Sequence, residues 1–562
     1  MSLLKSFALS RSQILVLSAL WISLLPNLAT LQRFIESPST TGGVAHVAFV
    51  STGWLLLFAL TLFFLSLLGL LFPGRSIKVW CAIAIIVASV LGYYSFFLGT
   101  LFDKTMFANI LGTHPAETLE LIGVRMLSWI ALVGILPALF VAACPMKASN
   151  SWLGETGRSA ALLVLPVLAA VVAVFPQFQS FASAGRNKSI TFHTVAPINL
   201  VAAAVSHVAT QRASSIVRDP VGVDAKIRYE LEKPRLVVFV LGETARAQNQ
   251  ALNGYSRPTN ERMIAEHVIN FPYTESCGTA TAISVPCIFS GFTREEFSLS
   301  KAAGRETLID VIHRTGMKTL WRDNDGGCKG VCDRGAIVEE LTDSDDPRFC
   351  TENGNCFDAI LLDGLEERLK NEKKDIFVVL HIKGSHGPAY FKRYPKEFER
   401  FTPACQSNEL SSCSSESLRN AYDNTIVYTD HILGEVVSML KRLSPQFATS
   451  MLYASDHGES LGERGLYLHG LPYAVAPEEQ TRVPMLAWFS PEFLALECWS
   501  EGCVRRQSQP GKKHDHIYST ILGLLDISTD QYQPELDIFS GCERETDSPP
   551  KKTLTPIGAK TS

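Results

Sequence analysis

The N-terminal part of the chain is dominated by long apolar runs. They lie at about 12–31, 46–72, 78–100, 122–144 and 159–180. Each approaches the roughly 20 residues that an α-helix needs to cross a bilayer. The pattern therefore predicts a multi-pass α-helical membrane domain with five spans. The first run is not interpreted as a cleaved signal, because four more spans follow it.

From residue 235 the pattern changes to short, β-rich apolar runs with helical stretches between several of them. The predicted strands are Arg235–Leu241, Met317–Trp321, Ile376–Ile382, Ser450–Ala454 and Met485–Phe489. Helices are expected at 306–315 and 417–442. Strands that alternate with helices indicate an α/β domain with a largely parallel sheet. In such sheets the functional residues collect just past the C-terminal ends of the strands.

These patterns divide the chain into four segments. Residues 1–185 form the predicted transmembrane domain. Residues 186–233 form a connector, in which Pro197–Val208 is apolar enough to lie on the membrane surface as a helix. The α/β domain is expected over 234–543, followed by a disordered tail over 544–562 that is rich in Pro, Lys and Thr.

The distribution of charge supports this division and suggests an orientation. Residues 1–185 contain only fourteen charged side chains, although the chain has 51 Lys and Arg and 55 Asp and Glu. Basic residues precede span one and lie between spans two and three and spans four and five, which all face the cytoplasm if the N-terminus does. Five crossings then put the α/β domain outside the cytoplasm. No long basic run occurs, so nucleic-acid binding has no support.

The cysteines indicate the same compartment independently. Of thirteen cysteines, Cys81 and Cys144 lie in apolar stretches, and the other eleven lie beyond residue 270, many in close pairs. Paired cysteines in a soluble domain suggest disulfides and an oxidising environment.

A polar loop follows the third span. Asn109, Thr113 and Glu117 are four residues apart, so on a short helix they would share one face. Such a face is ordinarily solvated. At the outer surface of a membrane it could also hold a lipid headgroup.

Two predicted strands end in residues that can bind a metal. Glu243 follows the strand at 235–241, and Asp456 and His457 follow the strand at 450–454. Carboxylate oxygen and imidazole nitrogen both suit zinc. Taken singly, the Glu is more often a helix cap or surface charge, and an Asp-His pair is more often a turn.

The segment Ser276–Cys287 could place a hydroxyl group at such a metal. Its cysteines, ten residues apart, could bridge the loop, and the small residues between them allow close approach. The alternative is a cross-linked structural loop. The spacing does not choose which Thr or Ser would act.

Three further polar residues are candidates for substrate contact. His386 follows the strand at 376–382, and His469 lies in another loop; each could bind substrate or relay a proton. Lys329 lies between Cys328 and Cys332 and could neutralise a phosphate. A hydrogen-bonded surface histidine and a solvated lysine are the simpler alternatives.

Four ordered motifs carry a resemblance to a known family. They are Gly242-Glu243-Thr244-Ala245-Arg246-Ala247-Gln248-Asn249, Leu252-Asn253-Gly254-Tyr255, Ser276 to Ser290, and Ser455-Asp456-His457-Gly458-Glu459-Ser460-Leu461-Gly462-Glu463. Together with the spans, the polar loop and the connector, they resemble the lipid A phosphoethanolamine transferases, which include the mobile colistin-resistance enzymes. The resemblance implies an alkaline-phosphatase/sulfatase-like soluble domain.

The resemblance also implies roles for individual residues. Thr281 matches the family nucleophile, and Glu243, Asp456 and His457 match the ligands of a zinc ion that the Thr281 oxygen completes. The residues matching substrate-contacting positions are His386, His469, Lys329, Asn109, Thr113 and Glu117. The two histidines match positions that bind substrate or a second zinc. Independently of the resemblance, either one could protonate the leaving group or deprotonate the acceptor. The segment at 323–327 departs from the Asn-Asn-Ser form of several relatives, which weakens the transfer of contacts to Asp325 and Gly326.

The family forms disulfides in this domain. The resemblance implies Cys277–Cys287, Cys328–Cys332, Cys350–Cys356 and Cys405–Cys413, and it suggests Cys498–Cys503. Cys542 then has no partner.

The implied activity is transfer of phosphoethanolamine from phosphatidylethanolamine to a lipid A phosphate through a phosphoethanolamine-threonine intermediate, with release of diacylglycerol. The implied location is the Gram-negative inner membrane, with the N-terminus cytoplasmic and the catalytic domain periplasmic, and the implied phenotype is resistance to polymyxin and other cationic peptides. Alternatives are a core-sugar or glucan acceptor, a membrane-anchored phosphodiesterase or sulfatase, or a non-enzymatic sensor. The sulfatase motif Cys/Ser-x-Pro-x-Arg is absent at Thr281, which Ala282 and Ile283 follow.

Overall fold

A computed structural model of the protein describes residues 8–37, 43–72, 74–112, 115–147, 152–181, 192–214, 218–228, 233–342, 344–351 and 355–542. The chain forms two compact units. The first comprises Met1–Phe107, Ile122–His207 and Arg464–Leu466, and the second comprises Ala108–Leu121, Val208–Glu463 and Tyr467–Ser562. The predicted tail at 544–562 and parts of the connector at 186–233 lie outside the described residues.

The first unit is helical. Its helices are Arg11–Leu24, Leu28–Ile35, Gly43–Leu71, Ile77–Phe97, Val124–Trp129, the π-helix Ile130–Ile135, Leu136–Ala143, Trp152–Val174 and Ile198–Ser214, and Lys104–Gly112 begins in this unit. Four apolar stretches are long enough to cross a membrane as helices: Gly43–Leu71, Gly74–Phe97, Val124–Ala143 and Ala160–Phe181. The remaining predicted span, which is the first along the chain, is the helix pair Arg11–Leu24 and Leu28–Ile35, which is bent by 58°.

Asn27 holds the chain at this bend. Its side-chain amide donates to the carbonyls of Ile22 (2.8 Å) and Ala196 (2.9 Å), and its Oδ1 accepts from the Ala196 N–H (2.9 Å). A helix break leaves backbone groups without helical partners, and such groups are costly in apolar surroundings. A buried Asn offers both donor and acceptor, so it satisfies these groups and allows the first span to bend.

The second unit is built on a seven-stranded sheet. In chain order its strands are β1 Arg235–Gly242, β2 Ile269–Glu275, β3 Lys318–Asp323, β4 Ala336–Glu340, β5 Ile376–His381, β6 Ala448–Ser455 and β7 Arg482–Phe489. Their spatial order is β2-β7-β6-β1-β5-β3-β4. The neighbours from β6 to β4 pair in parallel, whereas β7 pairs antiparallel with both β6 and β2.

Helices surround the sheet and connect its strands. The α-helices of this unit are Pro115–Glu120, Glu261–Ala265, Thr281–Ser290, Leu299–Ala303, Leu308–Arg314, Leu365–Lys370, Ser415–Leu443, Glu478–Thr481, Pro491–Leu496, Glu501–Arg506 and Asp515–Leu524. Two short ladders pair Lys226–Ile227 with Ile527–Ser528 and Ser460–Leu461 with Tyr467–Leu468.

The sheet is buried on both faces, which explains the continuous apolar runs. In β1, Val237, Phe239 and Leu241 belong to one hydrophobic cluster, whereas Val238 and Val240 belong to another. Because side chains alternate along a strand, the two clusters lie on opposite faces of the sheet. The predicted α/β class and the five predicted strands are confirmed, to within a few residues at their ends.

Two strands, and the direction of a third, were not predicted from the sequence. β2 contains Pro272, and its burial varies along the strand. β4 lies at the sheet edge, and its residues are half-buried or exposed. Neither has the continuous apolar run of a buried central strand. The antiparallel direction of β7 depends on its connection to β6, which no local pattern encodes.

The N-terminal end of β1 buries a positive charge among negative partners. The Arg235 side chain is 1% exposed and forms ion pairs with Asp375 (3.4 Å), Glu497 (2.8 Å) and Asp526 (3.2 Å). Burial lowers the pKa of this guanidinium, but the three carboxylates raise it above its ordinary value. A buried charge of this kind requires such partners.

Four of the implied disulfides are confirmed and one is wrong. The confirmed pairs are Cys277–Cys287, Cys328–Cys332, Cys350–Cys356 and Cys405–Cys413. Cys503 pairs with Cys542 and not with Cys498, which carries a free thiol. The segment before Cys542 packs Ile538 and Phe539 into the core, and this brings the two Cα atoms to 5.5 Å across 39 residues of sequence.

Replacing Cys542 by Ser should destabilise the second unit, whereas replacing Cys498 by Ser should not. Opening a 39-residue loop lowers the free energy of unfolding by about 4 kcal/mol in the chain-entropy model. Thermal unfolding of both variants in detergent measures the difference. Peptide mapping without reductant should recover Cys503 linked to Cys542, and a peptide linking Cys498 to Cys503 would contradict the assignment.

Candidate metal centre and active site

Polar residues converge where four adjacent parallel strands end. Glu243 directly follows β1, Asp456 and His457 follow β6, and His381 and Asp323 are the last residues of β5 and β3. The register places Ser455 opposite Gly242, and His381 opposite both Leu241 and Asp323. The carboxyl edge of the sheet therefore gathers side chains that lie more than 200 positions apart in sequence.

Glu243, Asp456, His457 and Thr281 form the first cluster at this edge. Thr281 Oγ1 donates to Glu243 Oε2 at 3.1 Å and lies 3.4 Å from His457 Nε2. His457 Nε2 lies 3.4 Å from Glu243 Oε1 and 3.3 Å from Asp456 Oδ2. Ligand atoms of the two carboxylates and the imidazole all lie within 4.8 Å of one another, which is the separation expected around a single metal ion.

The conformation of this cluster suits a metal. His457 Nδ1 lies 2.9 Å from the Gly458 carbonyl, so Nδ1 carries the proton and Nε2 faces the carboxylates. Asp456 Oδ1 accepts the backbone N–H groups of Thr244 (3.1 Å) and His457 (2.7 Å). Asp456 Oδ2 is buried and makes no hydrogen bond to any described residue. Two carboxylates, an imidazole and a hydroxyl are a donor set that zinc accepts.

The titration of this cluster reflects its buried negative charge. Burial, together with the charge of Glu243, raises the pKa of Asp456 to about 7. Burial alone would lower the pKa of His457, but Asp456 and Glu243 raise it to about 10. Burial opposes ionisation of Glu243, yet the positive charge of His457 holds its pKa well below the ordinary value. The cluster therefore favours a cation, and a metal can replace the proton of His457 in that role.

Thr281 is held by the start of its helix and by a buried histidine. It is the first residue of Thr281–Ser290, and the Cys277–Cys287 disulfide joins the preceding loop to this helix. His514 Nδ1 accepts the Cys277 N–H at 3.1 Å, and His514 Nε2 donates to the Ser455 carbonyl at 2.9 Å. Burial lowers the pKa of His514 to about 3, so it stays neutral, as these two bonds require. The loop is thereby connected to the end of β6.

Two histidines predicted to contact substrate lie together beside this cluster. The ring centroids of His457 and His469 are 4.2 Å apart, and those of His469 and His386 are 5.8 Å apart. His469 Nδ1 lies 3.2 Å from Glu459 Oε2, and Glu459 is fully buried. Burial raises the pKa of Glu459, although the charge of His469 opposes this. The structure thus brings together Glu243, Thr281, Asp456, His457, His386 and His469.

Lys329 lies in the loop that the Cys328–Cys332 disulfide closes. It has a positive φ of 51°, and its Nζ donates to the Gly326 carbonyl at 2.9 Å. Its positive charge also acts on His381 at the sheet edge. The lysine is therefore held near the carboxyl ends of β3 and β5.

The polar loop after the third span lies in the two helices Lys104–Gly112 and Pro115–Glu120. Asn109 is in the first, Glu117 is in the second, and Thr113 lies outside the described residues. The second helix ends at Glu120, which is 8% exposed and forms ion pairs with Arg393 and Lys392. Arg393 Nε donates to the His386 carbonyl at 2.7 Å, so the Glu120 carboxylate and the His386 loop share one arginine.

A second acidic group lies at the same edge and was not predicted from the sequence. Ligand atoms of Glu243, Asp325 and His381 lie within 4.8 Å of one another, and all three residues are buried. His381 and Asp323 end apolar strands as polar residues. A polar residue at the end of an apolar strand is the signal that identified Glu243, and the same signal could have identified His381 and Asp323. Glu120, Arg393 and His514 gave no comparable signal, because only the fold brings them to their partners.

Comparisons with known proteins agree with this architecture. The family model described as phosphoethanolamine transferase EptA/EptB matches residues 57–212, and the sulfatase model matches residues 235–527. Phosphoethanolamine transferase EptA of Escherichia coli (strain K12) is 37% identical over 96% of this chain and 99% of its own. Phosphatidylethanolamine transferase Mcr-1 of Escherichia coli is 35% identical over 89% of this chain and 92% of its own.

A solved structure shows the same fold over nearly the whole chain. The integral membrane protein lipooligosaccharide phosphoethanolamine transferase A (EptA) from Neisseria meningitidis superposes with a TM-score of 0.91 and 36% sequence identity. The match covers 96% of this chain and 100% of that one. On the joint match of both family models, of full-length relatives and of this structure, the chain belongs to the family of phosphoethanolamine transferases.

Proposed function

We propose that the protein transfers phosphoethanolamine from phosphatidylethanolamine to a phosphate of lipid A, through an intermediate in which Thr281 carries the phosphoethanolamine group. The observation that carries the proposal is the position of the Thr281 hydroxyl, 3.1 Å from Glu243 and 3.4 Å from His457, inside a buried cluster of metal-binding side chains. Relatives whose names specify a phosphoethanolamine or a phosphatidylethanolamine transferase support the choice of the transferred group.

Zinc is the proposed cofactor, held by Glu243, Asp456, His457 and the Thr281 oxygen. The buried carboxylates and the orientation of His457 Nε2 fit this ion. When bound, zinc favours ionisation of a coordinated hydroxyl and stabilises negative charge on phosphoryl oxygens. A threonine hydroxyl is otherwise a weak nucleophile at neutral pH.

In the first step the Thr281 oxygen forms a bond to the phosphorus of phosphatidylethanolamine. The hydroxyl proton is released to solvent, because Glu243, which accepts the Thr281 hydrogen bond, would serve as a metal ligand and not as a base. The bond from phosphorus to the diacylglycerol oxygen breaks, and that oxygen takes a proton from His386 or His469. The two histidines lie together beside His457, within reach of a group attached to Thr281.

In the second step an oxygen of the lipid A phosphate bonds to the same phosphorus. The bond to Thr281 breaks, the threonine oxygen takes up a proton from solvent, and the histidine is reprotonated from solvent. Lys329 offsets negative charge on the transferred group. Asn109, Thr113 and Glu117 are the proposed headgroup residues, since a carboxylate can pair with the ethanolamine ammonium. Two chemical steps at one nucleophile predict ping-pong kinetics.

The chain is an inner-membrane protein, as its helices and family indicate. We further propose that its N-terminus is cytoplasmic and its second unit periplasmic. Five disulfides in that unit support an oxidising compartment. Adding a cationic group to lipid A would weaken its attraction for cationic peptides such as polymyxin.

Mass spectrometry of lipid A from a Gram-negative host tests the acceptor and the nucleophile together. Expression of the wild-type chain should add one phosphoethanolamine group and raise polymyxin tolerance. Thr281→Ala should abolish both effects, because no oxygen remains to form the intermediate, while Thr281→Ser should retain part of the activity. Modification of lipid A by Thr281→Ala would exclude Thr281 as nucleophile, and unmodified lipid A with wild type would move the acceptor to core sugar or glucan.

A second prediction concerns the ion pair of Glu120 with Arg393. Glu120→Gln should raise the KM for phosphatidylethanolamine by roughly 10-fold with a smaller change in kcat, because this carboxylate positions the helix that carries Glu117. The matched control is Glu372→Gln, which removes a carboxylate from an exposed pair with Lys318. A change in kcat alone, or an equal effect in the control, would contradict a positioning role.

A further inference from the structure

A second group of metal-binding side chains adjoins the Thr281 centre. It contains Glu243, which follows β1, His381 at the end of β5, and Asp325, two residues beyond the end of β3. Glu243 and His381 are fully buried, and Asp325 is 4% exposed. One ligand atom from each lies within 4.8 Å of the other two. The group shares only Glu243 with the Thr281 centre and contains neither His386 nor His469.

His381 has the surroundings of a metal-binding histidine, in which a carboxylate binds one ring nitrogen and the other faces the ligand site. Its Nδ1 lies 2.7 Å from Asp323 Oδ2, which fixes the ring and assigns the proton to Nδ1. Its Nε2 lies 3.7 Å from Asp325 Oδ2 and makes no hydrogen bond to any described residue. A fully buried ring nitrogen is costly to leave without a partner. Here the nitrogen faces two carboxylates, which is the environment of a cation.

Asp323, the carboxylate behind His381, is itself fixed by several donors. Its Oδ2 accepts the indole N–H of Trp321 at 2.9 Å. Its Oδ1 accepts the backbone N–H groups of Asp325 at 2.9 Å and Gly327 at 2.8 Å. The same bonds fix the backbone of the turn that carries Asp325. A carboxylate–histidine unit held in this way orients one ring nitrogen toward a ligand.

The group is rich in buried carboxylates. Glu243, Asp323 and Asp325 place three carboxylates around one imidazole, all deeply buried. Carboxylate oxygens that converge with an imidazole nitrogen in this way are a ligand set that zinc accepts.

We propose that Glu243, Asp325 and His381 bind a second zinc ion, with the Glu243 carboxylate shared between the two metal sites. Zinc fits because it accepts imidazole beside carboxylates, whereas magnesium favours oxygen ligands and retained water. The second ion neutralises the acidic group and fixes the Glu243 carboxylate, which also accepts the Thr281 hydrogen bond. The site deepens the proposed function and rests on it only through the zinc centre that shares Glu243.

Zinc content of the purified full-length chain tests this proposal. The protein in detergent is stripped with a chelator, reloaded with zinc, desalted and measured by inductively coupled plasma mass spectrometry. Wild type should retain about two zinc ions per chain, and Asp325→Asn about one, because the isosteric amide keeps the turn but removes the charged ligand. The matched control, Asp333→Asn, removes a carboxylate from an exposed pair with Arg218 and should retain about two.

Two further variants separate the sites. Asp456→Asn should lose the ion of the Thr281 centre and keep the second ion, whereas His469→Gln should keep both. Retention of a single ion by wild type, equal content in wild type and Asp325→Asn, or loss of the second ion in His469→Gln would overturn the proposal. If Asp325→Asn fails to purify as a folded protein, His381→Gln takes its place with the same expected loss.

The outcome is distinguishable from failure of the proposed function. Two ions in wild type, one of them dependent on Asp325, would support the second site even if lipid A is unmodified. One ion in wild type, combined with modified lipid A that depends on Thr281, would overturn the second site and leave the transferase activity standing.

Discussion

Buried negative charge at the carboxyl edge of the sheet is the constraint on which the site depends. Glu243, Asp323, Asp456 and Glu459 are fully buried there, and each forms an ion pair with a histidine, which is charged only when it is protonated. At the opposite end of β1 the protein compensates buried charge with its own side chains, because Arg235 forms ion pairs with three carboxylates. At the carboxyl edge no arginine plays that part among the described residues, and a metal ion fits instead.

The surrounding structure holds this edge rigid. Central strands that are apolar on both faces fix the positions of Glu243, Asp456 and His381. The loop before Thr281 is cross-linked by Cys277–Cys287 and connected to β6 through His514. A catalytic group must be held within about 0.5 Å of its productive position. The rigid strands and the cross-linked loop meet this requirement for the Thr281 hydroxyl.

The Glu120–Arg393 ion pair links the helix that carries a proposed headgroup residue to the active-site loop. The helix Pro115–Glu120 belongs to the second compact unit, although in sequence it lies among the helices of the first. Arg393 contacts both Glu120 and the carbonyl of His386. A residue proposed to bind the lipid headgroup, Glu117, and a residue proposed to move a proton, His386, are thereby positioned by one guanidinium. This arrangement suits the proposed transfer from one lipid to another.

The sequence by itself determined the features that local pattern encodes. Apolar runs of membrane length and buried strands such as β1 are visible because burial demands apolar residues, and the motifs around Glu243, Thr281 and Asp456 indicate the family. Only the tertiary structure decided which distant residues meet. The Cys503–Cys542 disulfide, the antiparallel direction of β7, the bend at Asn27 and the partners of Asp325 depend on chain connection and packing. No periodicity or spacing along the sequence contains that information, because each contact joins segments whose separation in sequence places no limit on their distance in space.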